Sequence, residues 1–254
     1  MKKVKSKKSL HSILIRRLRE WHRTLGVWAA FFLIFLSITG IALNHTERLE
    51  LAHQPITSTL LLDHYGINSP NDVRFYQDNR LILTNNLIWL DNTLLVEISS
   101  RFVTMGKFQQ MWLVATDQYL FLFNDVGELI DKISVATGLP AAIVAVSVEA
   151  GSVIIDTDKG YYQADNEFLA WQAVSTLKEP SWLEQSKASD KKIIQAIELY
   201  RSQFLTWERI IVDAHSGRIL GSVGVVIMDI AAILLILLSL SGLYIWIRYA
   251  NAKR

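Results

Sequence analysis

The chain of 254 residues contains no cysteine. Within this chain, that absence excludes disulfides, thiolate-bound metals, iron–sulfur clusters, covalently attached c-type haem and cysteine nucleophiles. Any redox chemistry would need a cofactor held without a covalent bond to the protein. The sequence also lacks the phosphate-binding patterns G-x-x-x-x-G-K and G-x-G-x-x-G, the zinc pattern H-E-x-x-H and the hydrolase elbow G-x-S-x-G. Several common nucleotide-dependent and hydrolytic enzyme classes are therefore not indicated.

Charged side chains are missing from two long segments. Residues 24–44 contain none, and residues 223–247 contain only Asp229. The mean hydropathy of the whole chain, +0.24, is high because of these two segments. A helix of about 20 apolar residues crosses a hydrocarbon core of about 30 Å. We therefore predict one transmembrane helix in each segment.

The distribution of basic residues predicts the orientation of these helices. Residues 1–23 contain nine basic residues and one acidic residue, and residues 248–254 contain three basic residues and no acidic one. Residues 45–222 contain 22 acidic and 14 basic residues. The positive-inside rule then places both termini in the cytoplasm and residues 45–222 outside it. Because the basic run lies at the membrane surface, nothing indicates nucleic-acid binding.

The basic N-terminal segment also has a helical pattern. Its apolar residues Leu10, Ile13, Leu14, Leu18 and Trp21 recur at helical spacing, with arginines elsewhere on the helix. This pattern is typical of an amphipathic helix that lies at the interface of a lipid bilayer. We expect such a helix to lead directly into the first span.

The region between the spans is predicted to be rich in β-structure over residues 73–174. Three similar units occur there, each with β-rich runs separated by turns, and Thr84, Thr116 and Thr157 occupy equivalent turn positions. They predict antiparallel hairpins or a meander, since the region is too short for a propeller of four four-stranded blades. Residues 186–221 are expected to form a helix followed by strands.

These segments together predict a membrane α+β fold. Two antiparallel transmembrane helices flank a β-rich extracytoplasmic domain, and an interfacial amphipathic helix precedes the first span.

Histidines lie at the borders of both predicted spans. His22 comes just before the first span, His45 just after it, and His215 just before the second. Because the spans are antiparallel, His45 and His215 should lie at similar depth, where two imidazoles could hold a haem iron from opposite sides. The alternative is that these histidines are simply polar residues of the interfacial zone.

Asp229 lies within the second span. A carboxylate at that depth indicates a functional site by default. The alternative is that it is hydrated near the outer surface, or that it pairs with Arg218 or an outer histidine.

Small and hydroxyl-bearing residues recur in both spans. The pattern Ser37-x-Thr39-Gly40 in the first span matches Ser239-x-Ser241-Gly242 in the second. Such residues allow helices to approach closely and to form hydrogen bonds across their interface. Because the two glycines should lie near opposite ends of the pair, each could meet a different helix, in a homodimer or a larger membrane complex.

The combination of these motifs resembles a known family. The segments that carry the resemblance are Trp21-His22-Arg23-x-x-Gly26, Ser37-x-Thr39-Gly40, Leu43-Asn44-His45, Asp213-x-His215-x-Gly217, and Ser241-Gly242 together with Asp229. They resemble the PepSY-associated transmembrane family, and residues 186–221 also resemble a PepSY module. The resemblance implies a protein of the bacterial inner membrane, related to the membrane part of haem-containing ferric-siderophore reductases.

Carried over residue by residue, the resemblance implies haem ligation by His22, His45 and His215. The chain has two predicted spans where those reductases have about four, which leaves a single outer b-type haem or a haem shared in a dimer.

Three functions remain open at this point. In the first, the chain is a b-haem electron-transfer component, with His45 and His215 as axial ligands and Asp229 as a tuning or proton-handling group. It would be a ferric-reductase-like oxidoreductase that passes electrons to a ferric chelate or a periplasmic protein. In the second, it is a membrane-anchored binding or regulatory module without enzymatic activity. In the third, it is an accessory subunit of a larger membrane complex.

Overall fold

The computed structural model describes residues 10–149, 151–175 and 180–252. The chain divides into two compact units, one formed by Met1–Ile56 with Leu205–Arg254 and the other by Thr57–Phe204. The α-helices are α1 (Leu10–Asn44), α2 (Thr59–His64), α3 (Asp190–Ser202), α4 (Trp207–His215) and α5 (Gly221–Ala252). The first unit contains α1, α4 and α5, and the second contains the strands with α2 and α3.

The two predicted spans are helices of sufficient length and hydropathy to cross a membrane. The candidate spans are Arg16–Asn44, within α1, and Arg218–Arg248, which begins in the turn before α5, and their most apolar parts have mean hydropathies of 2.2 and 2.8. Only 6% and 11% of these stretches are buried within the protein, so most of their apolar surface is left for lipid. The amphipathic segment is continuous with α1 from Leu10 onward. Its location at the membrane interface stays a prediction, and residues 1–9 lie outside the described residues.

Helices α1 and α5 pack through small residues. Ala29 of α1 is 4% exposed and Ala231 of α5 is 3% exposed, whereas most larger side chains of both helices point outward. Without a hydrophobic driving force between helices in lipid, close packing of small residues is what favours association. The helix pair is therefore held by a narrow strip of small side chains.

The strands predicted after residue 207 are not present, because this segment forms α4. Thr206 caps its N-terminus by accepting a hydrogen bond from the Arg209 backbone, Glu208 lies in its first turn, and Arg209 pairs with Asp213 one turn later. These helix signals outweigh the strand preference of the Ile-Ile-Val run. The expected helix in residues 186–204 is confirmed as α3.

Backbone hydrogen bonds join the two segments, residues 51–56 and 205–208, at which the chain leaves the helical unit and returns to it. The Ile56 amide donates to the Leu205 carbonyl at 2.8 Å, and the Trp207 and Glu208 amides donate to the carbonyls of Gln54 and Leu51. These three residues on each side form a short backbone-paired neck. The pairing holds α4 next to the end of α1.

Among the described residues of the second unit, twelve strands form its β-rich part. They are β1 (Val73–Tyr76), β2 (Leu81–Thr84), β3 (Leu87–Leu90), β4 (Thr93–Glu97), β5 (Phe102–Phe108), β6 (Met111–Thr116), β7 (Tyr119–Phe123), β8 (Leu129–Ser134), β9 (Ile143–Glu149), β10 (Ser152–Thr157), β11 (Gly160–Ala164) and β12 (Trp171–Val174). They form three four-stranded antiparallel meanders, β1–β4, β5–β8 and β9–β12.

The three sequence units correspond to the three meanders. Thr84, Thr116 and Thr157 each end the second strand of their sheet, and all three are buried. The Thr116 and Thr157 hydroxyls accept from backbone amides of the following turn, those of Tyr119 at 2.9 Å and Lys159 at 3.1 Å. The Thr84 hydroxyl accepts from the Trp89 indole N–H of the next strand at 2.7 Å. The repeated threonine therefore stabilises the hairpin that follows it.

The sheets stack face to face through two apolar cores. One core joins the first and second sheets, with Leu83 and Phe123 among its members, and the other joins the second and third, with Leu122 and Ile155. Helix α3 covers the remaining face of the first sheet, where Trp89 is fully buried. The three meanders thus share continuous cores and form one compact β-rich body.

Candidate functional site

The first candidate site joins α1 to α5 through a histidine. The His22 Nδ1 lies 2.8 Å from the Ser241 hydroxyl, and the ring also faces Gly242. A Cβ placed on Gly242 would lie 3.1 Å from His22 Cε1, so the glycine leaves space for the ring. We call His22, Ser241 and Gly242 the His22 junction.

The second candidate site repeats this arrangement at the other end of the helix pair. The His215 Nδ1, at the end of α4, lies 2.7 Å from the Thr39 hydroxyl of α1. A Cβ on Gly40 would lie 3.7 Å from His215 Cε1. We call His215, Thr39 and Gly40 the His215 junction. Gly40 and His22 are separated by 18 residues of α1, which corresponds to about 27 Å along the helix.

Each hydroxyl lies within hydrogen-bond distance of a backbone carbonyl as well as of its histidine. The Thr39 hydroxyl oxygen is 2.9 Å from the Phe35 carbonyl oxygen, and that of Ser241 is 3.0 Å from the Leu238 carbonyl oxygen. A hydroxyl that donates to its carbonyl accepts from a histidine Nδ1–H, and that tautomer leaves the Nε2 lone pair for a ligand.

A buried carboxylate, Asp213, lies two residues before His215 and binds two arginines. Asp213 is 3% exposed and accepts hydrogen bonds from the Nε atoms of Arg209 at 2.8 Å and Arg218 at 3.0 Å. These two arginines lie on opposite sides of His215 in the sequence. The pairing therefore closes the chain around the end of α4 and restricts the position of His215.

A turn between α4 and α5 completes this support. Gly217 has φ of 79°, and a Cβ there would lie 2.3 Å from the Gly224 carbonyl oxygen. A Cβ on Gly224 would lie 2.0 Å from the Gly217 carbonyl oxygen. Only glycine allows both the left-handed conformation and this close backbone approach. In the Asp213-x-His215-x-Gly217 motif, Asp213 binds the two arginines, His215 supplies an imidazole, and Gly217 forms the turn. We call Arg209, Asp213 and Arg218 the Asp213 clamp.

An apolar groove lies beside His22. It has a volume of about 450 Å³ and is lined by side chains of both helices, including Trp21, Leu25, Leu237 and Tyr244. His22 and Ser241 supply polar atoms to its otherwise mainly apolar wall. An apolar wall with a few placed polar groups is typical of sites that hold a flat apolar cofactor or ligand.

The other residues predicted as site residues occupy different surroundings. His45 follows the last residue of α1 and is exposed, and His215 makes its hydrogen bond to Thr39 rather than to His45. Asp229 is exposed on α5. Arg218 was one of the predicted partners of Asp229, but it binds Asp213 instead. The assignment of His22, His45, His215 and Asp229 as functional residues stays a prediction.

A family model for the PepSY-associated TM region matches residues 3–248. The chain belongs to this family. No curated protein matches the chain. The PepSY-associated match covers nearly the whole chain, so the three-sheet unit as well as both helices lies within it. Family membership, together with two long apolar helices, makes this chain a membrane protein in contact with the lipid bilayer.

In this PepSY-associated chain, the histidines are separate single donors and do not form a cluster. Among the described residues, no group of three or more histidine, aspartate or glutamate side chains could hold a metal ion. Each junction instead offers a single imidazole, and the one at the His22 junction borders the apolar groove. A metal carried inside a macrocycle needs only one or two such axial donors, which this donor set fits.

The sequence pattern of a hydroxyl residue followed by glycine marked a helix contact at both junctions, but the sequence analysis did not identify the histidines as its partners. The sequence allowed each glycine to meet a different helix, and in this chain Gly40 faces His215 of α4 and Gly242 faces His22 of α1. The signal that could have identified the partners is the antiparallel arrangement, which places His22 level with Ser241 and His215 level with Thr39. The clamp formed by Arg209, Asp213 and Arg218 was not foreseen.

Proposed function

We propose that this protein is a b-haem electron-transfer component of the bacterial inner membrane, linked to the reduction of ferric chelates. The observation that carries the proposal is the pair of histidine junctions, in each of which the Nδ1 atom lies within hydrogen-bond distance of a hydroxyl. Neutral imidazole with the second nitrogen held by a hydrogen bond is the form in which histidine binds metals in proteins.

The residues that would hold haem iron are His22 and His215, and His45 remains a further candidate. When bound, haem supplies an iron that accepts and releases one electron at a time. Thr39 and Ser241 would orient the rings through their hydrogen bonds to Nδ1. The groove beside His22 offers a mainly apolar wall to a cofactor at that junction.

The proposed topology follows from the charges. Residues 1–23 and 248–254 are cytoplasmic, with residues 10–22 at the inner interface, and residues 45–222 are periplasmic. His215 then lies near the periplasmic end of the helix pair and His22 near the cytoplasmic end. Electrons would enter from the cytoplasmic side and leave toward a ferric chelate or a periplasmic protein.

The test is an absorption spectrum of the purified full-length protein in detergent, after expression with ample haem. We expect a Soret band that shifts and a sharp α-band that develops on reduction with dithionite, as for a low-spin haem with histidine ligands. His22→Ala and His215→Ala should each lower the haem content per chain to half or less. His53→Ala, at an exposed position, serves as the control and should leave it unchanged.

A featureless spectrum of the folded protein would overturn the haem proposal. Equal haem content in His22→Ala, His215→Ala and the control would overturn the assignment of ligands. His45→Ala tests the remaining candidate, which gains support if its loss alone removes haem.

The third sheet favours a second candidate function, that of a membrane-anchored binding module. An open, polar hollow of about 640 Å³ lies there and is lined by Glu149, Gln163, Asp165 and Gln172, among others. Binding of a periplasmic partner to this hollow would need no cofactor. Loss of partner binding in Gln163→Ala with no haem spectrum in the wild type would favour this function.

A further inference from the structure

The groove beside His22 has two unlike ends. Toward the middle of the helix pair, its wall is formed by the aliphatic residues Leu25 and Leu234. Toward the end of the pair where α1 begins and α5 ends, its wall is formed by Leu18 and Tyr244. Leu234 and Tyr244 are ten residues apart on one helix, which corresponds to about 15 Å. The groove therefore runs along the pair, from an aliphatic end to an end with a phenol hydroxyl, which we call its terminal end.

A basic side chain is bound to the phenol at the terminal end. The Arg248 Nε atom donates to the Tyr244 hydroxyl oxygen at 3.4 Å, and the Arg248 guanidinium carbon lies 5.9 Å from the centre of the Tyr244 ring. Arg248 follows Tyr244 by four residues, so both side chains lie on one face of α5. The guanidinium is therefore held beside the tyrosine that lines the groove.

Together, Tyr244 and Arg248 have the hydrogen-bond donors that a carboxylate needs. A phenol oxygen that accepts from Arg248 keeps its own hydrogen, and no acceptor for that hydrogen is present among the described residues. A guanidinium is always charged, and its planar set of N–H donors matches a carboxylate. One O–H donor and one positive charge thus lie together at the terminal end of a mainly apolar groove.

The middle of the groove adds a third feature, the imidazole of His22. The ring is level with Ser241, about 4.5 Å along α5 from Tyr244. A ligand that uses the whole groove therefore has an apolar body, a group that imidazole binds, and a carboxylate at one edge. Haem has an apolar ring, an iron that imidazole binds, and two carboxylate side chains on one edge of the ring. A fatty acid has the apolar body and the carboxylate but offers nothing to the imidazole.

We infer that Tyr244 and Arg248 bind the carboxylate side chains of a haem at the His22 junction and so fix which edge of its ring faces the terminal end. The inference rests on the proposed function. The apolar edge of the ring is then directed toward Leu25 and Leu234. A carboxylate in that direction would lie in a stretch of both helices without charged side chains, where burial of a charge without a partner is costly.

The test compares haem with its dimethyl ester, which has the same ring and iron but no carboxylate charge. The full-length apo-protein in detergent carries His215→Ala, so that the His22 junction is tested without the His215 junction. The affinity for each ligand is measured by titration of the Soret band. Arg248→Gln, Arg248→Lys and Tyr244→Phe are then made in this parent variant.

Arg16→Gln is the matched control in the same parent variant. Arg16 is also an arginine near the start of α1, but its side chain pairs with Glu20. Circular dichroism of every variant confirms that the helices are retained.

We expect the parent variant to bind haem about tenfold more tightly than the ester, because hydrogen bonds between charged groups are the stronger ones. Arg248→Gln should remove most of this preference by lowering the affinity for haem and leaving that for the ester unchanged. Arg248→Lys should retain part of it, since lysine keeps the charge but not the planar set of donors. Tyr244→Phe should lower the preference by a smaller factor, and Arg16→Gln should retain it in full.

Equal affinities for haem and ester in the parent variant would overturn the inference. An equal loss of affinity for both ligands in Arg248→Gln would also overturn it, because Arg248 would then only support the end of the helix. So would haem binding by the wild type that disappears in His215→Ala, since the groove would hold no haem of its own. Thermal stabilisation by oleate and not by haem, lost in Arg248→Gln, would assign the groove to a fatty acid instead.

The wild-type protein separates these outcomes from a failure of the proposed function. If the folded wild type binds neither haem nor its ester, the proposed function and the inference are overturned together. If it binds both but without a preference that depends on Arg248, the haem proposal stands and the role of Tyr244 and Arg248 is overturned.

Discussion

The two histidine junctions make the same contact but are built in different ways. At the His22 junction, a residue of one long helix meets a hydroxyl and a glycine of another, and helix packing alone positions them. At the His215 junction, the histidine ends a short helix that is held by the Asp213 clamp and the Gly217 turn. The comparison teaches that a membrane site can be positioned either by helix register or by a local turn. The two solutions should respond differently to mutation.

The largest expected effect is a substitution that removes the His215 junction and leaves the His22 junction intact. Gly217→Ala places a Cβ 2.3 Å from the Gly224 carbonyl oxygen in a left-handed conformation. The strain of that conformation costs about 1–3 kcal/mol, and the steric clash adds to it. We expect the turn to open, the His215 junction to be lost and the His22 junction to be retained. Haem content should fall to about half and the thermal midpoint by circular dichroism should fall.

The control for this prediction is Gly26→Ala in α1. A Cβ there meets no atom within 4 Å, so the substitution should be neutral or slightly stabilising. An unchanged haem content and melting temperature in Gly217→Ala would contradict the role of the turn.

A smaller effect, a loss of haem affinity when the hydroxyl is removed, should be equal at the two junctions. Thr39→Val and Ser241→Ala remove hydroxyls that lie 2.7 and 2.8 Å from the histidine Nδ1 atoms. An interhelical hydrogen bond of this type contributes about 0.6 kcal/mol on average, and loss of such support to a metal ligand lowers metal affinity about tenfold or more. Haem affinity, measured by titration of the apo-protein, should fall by a similar factor in both variants.

Thr39→Ser should restore the affinity lost in Thr39→Val, because it returns the hydroxyl. If Thr39→Val and Ser241→Ala differ strongly from one another, the two junctions are not chemically equivalent and the comparison fails at this point.

The smallest expected effect is a change in thermal stability when the glycine beside each histidine ring is replaced by alanine. A Cβ at Gly40 would lie at an ordinary contact distance of 3.7 Å from His215, whereas one at Gly242 would lie 3.1 Å from His22. Replacing glycine by alanine within a helix is worth about 0.5–1 kcal/mol to the helix itself. We expect Gly40→Ala to show this gain in thermal stability, and Gly242→Ala to show less because His22 must move. A larger gain in Gly242→Ala would contradict the assigned packing.

Much of the architecture could be predicted because it depends on local patterns. Two long apolar stretches, of which only the second contains a charged residue, Asp229, are sufficient to predict α1 and α5, since a membrane span must be predominantly apolar. The repeated threonines at 84, 116 and 157 marked three similar units, and each ends the second strand of a four-stranded sheet. In both cases the physical cause lies within a few residues of the signal.

The segment after residue 206 shows where local reasoning was wrong. Ile210, Ile211 and Val212 favour strands by propensity, but the Thr206 cap and the Arg209–Asp213 pair stabilise a helix. The cap and the pair were visible in the sequence. The neck that pairs Ile56 with Leu205 and the second arginine on Asp213 were not, because they depend on the return of the chain.

The sequence by itself determined the two spans, their charge asymmetry, the β-rich region and the residue types available for chemistry. Only the tertiary structure decided that His22 faces Ser241, that His215 faces Thr39, and that Asp229 faces away from both. Hydropathy and composition indicate whether a segment can lie in lipid or in water. The direction of a side chain around a helix, and therefore its partner, depends on which faces of two helices meet, and this is decided by packing between residues that are far apart in the chain.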